Sequence, residues 1–190
     1  EEPIIEEWLL YYIKEGVEHF YLIDNGSTDN YINIVLKYVD KITLIKDSTR
    51  YPSGTQSKLY NHHYLDKIKK ETEWIIICDI DEYFYLSDNN KLINYFNDNI
   101  LYDSIWVPWR LFGTIYDETP KSLIESLLFR SDEININIGK GKSIIRTNKL
   151  SGFHIHESCM EIGCKKYKVK FDDKLRLNHY KLISKSYYKN

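Results

Sequence analysis

Two acidic segments of this chain follow apolar runs, and both carry residue types that could do chemistry. The sharper is Asp79-Ile80-Asp81, directly after Trp74-Ile75-Ile76-Ile77-Cys78. Residues two apart on an extended segment point to the same side. Two carboxylates converging there repel each other unless a cation sits between them. Mg²⁺ or Mn²⁺ suits such oxygens and keeps coordination positions for phosphate. A solvated acidic turn has the same spacing, and the long apolar run before the pair is what favours the metal. The second segment is Asp24-Asn25-Gly26-Ser27-Thr28-Asp29, after Phe20-Tyr21-Leu22-Ile23. A carboxylate there can accept from a nucleobase N–H, and the turn amides can receive polar ligand groups. A tight turn plus a helix cap accounts for the same residues. Toward the C-terminus, His154, His156, Cys159 and Cys164 fit no usual structural zinc spacing, and one of the histidines is read as facing a substrate instead. His179 stands among Lys181, Lys185 and Lys189, where an imidazole could complete a metal site and the lysines could meet phosphates. An ordinary surface segment is the plainer reading of that stretch.

The elements that must hold these residues can be read from periodicity. Ile4, Ile5, Trp8, Leu9 and Tyr12 recur at helical spacing after Pro3, and Gly16 is a natural stop, so a helix is expected over Pro3 to Glu15. Phe20 to Ile23 reads as a strand. Thr28 or Asp29 is expected to cap a helix carrying Ile32, Val35, Leu36 and Val39. Ile42 to Ile45 is a second strand, and Ser53 to Lys70 a helix with Leu59, His63 and Ile68 inward. Trp74 to Cys78 shows no polar alternation, which predicts a central strand buried on both faces. Asn89 to Phe96 reads as a helix, Ser104 to Trp109 as a strand, Lys121 to Phe129 as a helix and Lys142 to Arg146 as a strand. Gly139-Lys140-Gly141 reads as a loop. Strand and helix alternate over roughly the first 110 residues, which predicts an α/β layered sheet, and open α/β sheets bind ligands beyond the carboxyl ends of their strands.

Composition bounds the rest. The chain has 190 residues, 26 Lys+Arg against 28 Asp+Glu, and a formal net charge of -2, with 43% hydrophobic and 15% aromatic residues. That is one ordinary globular domain, over 1–190, without the basic excess that nucleic-acid binding requires. No stretch approaches the roughly 20 apolar residues of a membrane span. Three cysteines without a repeated spacing do not make a disulfide framework, and Cys78 inside its apolar run reads as a buried thiol. Seventeen Tyr and no Ala point to an AT-rich genome, such as that of a low-GC microbe, protist or large DNA virus.

Taken in order, the motifs resemble a known group. Glu6-Glu7-Trp8 and Gly16-Val17 are followed by Ile23-Asp24-Asn25-Gly26-Ser27-Thr28-Asp29, Gln56 and Asp79-Ile80-Asp81-Glu82-Tyr83-Phe84. Then come Trp109-Arg110-Leu111-Phe112-Gly113, Lys142-Ser143-Ile144-Ile145-Arg146, Leu177-Asn178-His179-Tyr180 and Ser184-Lys185-Ser186-Tyr187-Tyr188-Lys189. The series resembles glycosyltransferase family 2 and family 92-like enzymes of the GT-A fold, over nearly the whole chain. The resemblance implies a mixed, mostly parallel sheet flanked by helices, with a donor half over about 1–85 and an acceptor half over about 86–190. It implies Mn²⁺ or Mg²⁺ held by Asp79, Asp81 and His179. The donor is a nucleotide sugar, commonly a UDP-sugar, met by Asp24, Asn25, Gln56, Asp79 and Lys185. Trp109, His154 and His156 are the implied sugar or acceptor contacts. The acceptor is a hydroxyl of a glycan, glycoprotein or glycolipid, deprotonated by a carboxylate in an inverting hexosyl transfer. Glu125 is the preferred base, because Ile124-Glu125 with Phe129-Arg130 resembles a recurrent segment of the family; Asp117, Glu118 and Glu157 are the other candidates. Relatives begin with a strand ending in Lys/Arg-Asn-Glu, so the resemblance also implies that the first strand is missing here.

Two other readings compete. Haloacid-dehalogenase-like phosphatases also place D-x-D after an apolar strand and would use Asp79 as nucleophile. They expect Thr or Val four residues later, where this chain has Tyr83. A non-catalytic sugar- or nucleotide-binding remnant of the same fold is the second.

Overall fold

An apolar stripe that recurs every third or fourth residue must be buried on one side, and the first helix obeys this. In the computed structural model α1 spans Glu2–Lys14 and buries Ile4, Ile5, Trp8, Leu9 and Tyr12. Gly16 ends it with φ of 96°, and a side chain there would run into Ile93. The structure describes residues 2–97, 101–130, 140–157, 159–170, 172–181 and 183–184.

β1 (Phe20–Asp24) pairs in parallel with β2 (Ile42–Lys46). Their connection holds α2 (Tyr31–Val35) and a 3₁₀ turn over Leu36–Lys41. The expected longer helix is cut short, because the backbone leaves helical geometry at Tyr38, and Leu36 and Val39 are exposed. Neither Thr28 nor Asp29 caps it. Asn30 is the cap residue, without a side-chain bond, and Asp29 accepts from the Glu2 N–H at 2.9 Å. α3 (Thr55–Glu71) buries Leu59, Tyr64 and Ile68. His63, expected inward, instead meets Asp47 at 2.6 Å.

The larger sheet is built from β3 (Trp74–Ile76), β4 (Glu82–Leu86), β5 (Ser104–Gly113), β6 (Phe129–Arg130), β7 (Gly141–Arg146), β10 (Lys166–Lys168) and β11 (Leu175–His179). Its main path runs β3-β7-β5-β11-β4, with β6 and β10 also on β5. β7 is antiparallel to both β3 and β5, and β11 is parallel to β5 but antiparallel to β4. The expected mostly parallel arrangement therefore does not hold for this sheet. β8 (Leu150–Gly152) and β9 (Cys159–Met160) form a small hairpin. α4 covers Leu92–Asn97, later than expected, since Asn89 has a positive φ of 60°. The helix expected over Lys121 to Phe129 is one turn, α5 (Leu123–Ser126), because Phe129 and Arg130 pair with the end of β5. Gly141, expected in a loop, opens β7 so close to the Val107 carbonyl and the Trp106 ring that no side chain fits; Gly139 lies outside the described residues.

Helices cover both faces. Phe20, Leu22, Trp74 and Ile76 pack in one core with α1, and Tyr21, Ile23, Ile75 and Ile77 in another with α3. This explains the unbroken apolar run Trp74 to Cys78. The run is nevertheless an edge, not a central strand. Among the described residues β1 pairs only with β2 and β3 only with β7. Between these two strands lies a cavity of about 1440 Å³, lined by both. None of the described helices is long and apolar enough to cross a membrane.

Candidate active site

The site forms where β3 gives way to β4. Asp79 leaves the strand, residues 80 and 81 turn, and Glu82 begins β4. The Glu82 N–H donates to the Asp79 carbonyl at 3.1 Å, while Glu82 Oε2 accepts from the Asp79 N–H at 2.8 Å. α1 clamps the start of β4. The Tyr12 hydroxyl donates to the Glu82 carbonyl at 3.0 Å and accepts from the Phe84 N–H at 3.0 Å, and Tyr11 donates to the Phe84 carbonyl at 2.7 Å. The Cys78 thiol packs 3.6 Å from the same Tyr12 hydroxyl, and burial pushes its pKa up.

Because the segment turns, the two D-x-D carboxylates do not share partners as an extended segment would require. Asp79 Oδ2 meets Lys142 Nζ at 2.9 Å, and its Oδ1 accepts from Gln56 Nε2 at 3.3 Å. Asp81 Oδ2 instead lies 3.3 Å from His179 Nε2. Antiparallel pairing of β11 with β4 sets His179 opposite Glu82, and the Tyr180 N–H donates to the Asp81 carbonyl at 2.9 Å. Trp109, on β5, packs its ring 4.3 Å from the His179 imidazole, and the His156 ring lies edge-on to Trp109 at 5.6 Å. Asp79, Asp81, His179, Gln56, Asp24 and Asn25 all line the cavity between β1 and β3.

Two residues with no role assigned from sequence hold this cluster together. Glu82 and Lys142 are completely buried, with Lys142 Nζ 3.6 Å from Glu82 Oε2. A buried charge is tolerated only when paired. Burial pushes the Glu82 carboxyl up to about 8, against the pull of Lys142. Burial also works against the Lys142 charge, but Glu82 and Asp79 outweigh it and hold the ammonium above its ordinary range. The sequence signal was faint. Lys142 is the one charge in the run Gly141 to Ile145, and Glu82 the one charge in Glu82–Leu86.

Asp24 is engaged by its own loop, and Asn25 by the segment that follows β2. Asp24 Oδ1 accepts from the Gly26 and Ser27 N–H groups at 3.1 and 2.7 Å, and Oδ2 accepts from the Tyr31 hydroxyl at 2.7 Å. Burial resists its ionised form, but the bonds from Ser27, Tyr31 and Gly26 prevail and hold its pKa below the ordinary value. Asn25 Nδ2 donates to the Asp47 and Thr49 carbonyls at 2.6 and 3.0 Å.

The acceptor-side candidates are more scattered. Asp117, Glu118 and Glu125 are exposed and do not line the cavity. The Glu125 N–H donates to the cap Ser122 Oγ at 3.1 Å, and Glu7 ties that turn to α1 through Ser122 Oγ at 2.6 Å and the Leu123 N–H at 2.8 Å. Glu157 is exposed and 3.5 Å from Lys166. His154 is exposed, and His156 Nδ1 lies 3.4 Å from the Gly141 carbonyl. Lys185 lies outside the described residues.

Among the described residues no three His, Cys, Asp or Glu side chains converge as a metal-binding group. A carboxylate and an imidazole 3.3 Å apart on a cavity wall still suit a hard divalent ion that completes its shell with water and phosphate oxygens.

Comparison with known proteins adds two findings. The model of glycosyltransferase family 92 matches residues 3–190. A glycosyltransferase family 92 protein of rice, Oryza sativa subsp. japonica, is 24% identical over 95 residues. That stretch is 46% of this chain and 15% of the rice protein, so the chain spans a small part of that relative's length.

Proposed function

The chain belongs to glycosyltransferase family 92, and on that premise we propose that it carries the donor site of an inverting, metal-dependent transferase. It would move a hexosyl group from a nucleotide sugar, in first place a UDP-sugar, to a hydroxyl of a glycan, glycoprotein or glycolipid. The observation that carries the proposal is the meeting of Asp81 and His179, 98 positions apart by subtraction of their numbers, on the wall of one cavity. Nothing in a purely structural turn requires an imidazole there. The ion, when bound, acts as a Lewis acid on the departing diphosphate. Asp81 and His179 hold it, with Asp79 and Gln56 beside them. Asp24 and Asn25 shape the wall that meets the nucleoside, and Lys185 is the phosphate partner. Trp109 packs against the imidazole, and Trp109, His154 and His156 are the proposed sugar or acceptor contacts. The base is drawn from Asp117, Glu118 and Glu125, on the segment that follows β5. Family membership leaves no support for a phosphatase using Asp79 as nucleophile.

Asp81→Ala tests the reading. It is expected to remove nearly all Mn²⁺-dependent transfer or hydrolysis of a UDP-sugar, a loss of about a hundredfold or more. Full activity in that variant would sink the metal assignment, and absence of nucleotide binding by the unaltered chain would favour the non-catalytic remnant.

The GT-A reading belongs to the same proposal. It is supported by helices on both faces of the β1 and β3 strands, by the acidic turns after both on one cavity, and by the pairing, among the described residues, of β1 with β2 alone and β3 with β7 alone. Amide hydrogen exchange is the check: β1 and β3 should exchange faster than β5 and β7. Equal protection would mean that β1 and β3 have no open edge.

A further inference from the structure

Lys142 is, with Glu82, completely buried beside the site, and neither its neighbours in sequence nor the cavity accounts for it. It sits on β7 opposite Val107, in a strand whose other residues through Ile145 are also buried. It is absent from the cavity lining, whereas Asp79, Asp81 and His179 all line it. The ammonium thus approaches Asp79 from behind, from the protein side. A buried lysine retains its charge only next to carboxylates, and among the described residues Lys142 meets Asp79 at 2.9 Å and Glu82 at 3.6 Å. Gln56 takes the other Asp79 oxygen. The D-x-D motif is therefore asymmetric: one carboxylate already has a fixed cation, and the other faces an imidazole.

We propose that Lys142 is a positioning residue that holds Asp79 against the wall, leaving Asp81 and His179 as the pair presented to a divalent cation. The inference rests on the metal-dependent reading above and divides its ligands. Asp79 shapes the site without ligating the ion, and Lys142 sets that division by supplying, from inside the fold, the positive charge that Asp79 would otherwise seek in the metal.

The experiment is a titration of the full chain with MnCl₂, alone and then with UDP, following free Mn²⁺ by electron paramagnetic resonance. Asp81→Asn and His179→Gln should each weaken Mn²⁺ binding by about tenfold or more. Asp79→Asn should change it by about threefold or less, as expected for a group outside the ligand set. Lys142→Met gives a readout that a merely structural residue would not. Freeing Asp79 should tighten Mn²⁺ binding by about threefold, and adding Asp79→Asn in that background should abolish the gain. If Lys142→Met fails to fold, the comparison of Asp79→Asn with Asp81→Asn in the native background decides the matter alone. Equal losses in those two variants would overturn the division of roles while leaving a metal site in place. No Mn²⁺ binding by the unaltered chain, with or without UDP, would end the metal reading and this assignment with it.

Discussion

The carboxyl ends of β1 and β3 look alike in sequence and differ in construction. Each is an apolar strand running into an acidic turn on the same cavity. At β1, Asp24 is satisfied by groups at most seven residues away: the Gly26 and Ser27 amides and the Tyr31 hydroxyl. At β3, Asp79 and Asp81 are satisfied from far along the chain, by Lys142 on β7 and His179 on β11. The Asp24 carboxylate closes its bonds locally and calls on no strand of the larger sheet, although Asn25 ties the turn to the Asp47 and Thr49 carbonyls beyond β2. The β3 turn exists in its observed form only because the larger sheet delivers a lysine and a histidine to it. The first end is scaffold, and the second is a charged network whose geometry depends on the whole sheet.

That difference predicts unequal consequences of mutation. The largest should come from Lys142→Ala, which leaves Asp79 and the fully buried Glu82 without their cation. Breaking a buried ion pair from one side costs about 3–5 kcal/mol. Urea denaturation of the variant should show a loss of that size. A loss under about 1 kcal/mol would mean that Glu82, whose carboxyl burial pushes up to about 8, is already held as the neutral acid and that the pair contributes little. The comparison between the two strand ends would then lose its physical basis.

How much of this was legible beforehand follows the same line. α1, β1, β2, α3 and β5 were readable because each announces itself through local apolar periodicity, as in Ile4, Ile5, Trp8, Leu9 and Tyr12. The turn after β1 was readable in part, since the Gly26 and Ser27 amides that Asp24 accepts from lie within the motif, whereas Tyr31 and the Asp47 and Thr49 carbonyls that Asn25 meets do not. Three things were not. The position of β3 at an edge depends on which strands flank it, and no residue of Trp74 to Cys78 encodes that. β4 and β11 went unassigned, although β11 alternates buried and half-buried residues from Leu175 to His179. Polar side chains in β11 hid its period of two, and β4, buried at four of its five positions, has no such period. The pairing of Lys142 with Asp79, 63 residues apart, is a tertiary fact with no local signature. The expectation for His179 rests on the resemblance, since no local pattern in Leu177 to Tyr180 points to Asp81, which its imidazole meets at 3.3 Å.

The smaller effect should come from the other strand end. Asp24→Ala removes three hydrogen bonds, but the Gly26 and Ser27 amides it frees lie in an exposed turn where water can replace the carboxylate. Loss of such a local cap costs about 1 kcal/mol, several-fold less than the Lys142 change. Its pH dependence has a definite sign. The folded-state pKa of Asp24 lies below its ordinary value of 3.8, so the unfolded chain binds the proton more readily. The advantage of the native residue over alanine is therefore complete above that value and disappears as the pH falls through the lower, folded one. Melting temperatures of the two proteins, compared from neutral pH down to acid, should differ at neutral pH and converge in acid. A difference that stayed constant through that range would show that the Asp24 carboxylate is not what holds the loop, and a difference as large as that of Lys142 would erase the contrast between a self-contained turn and a network built by the sheet.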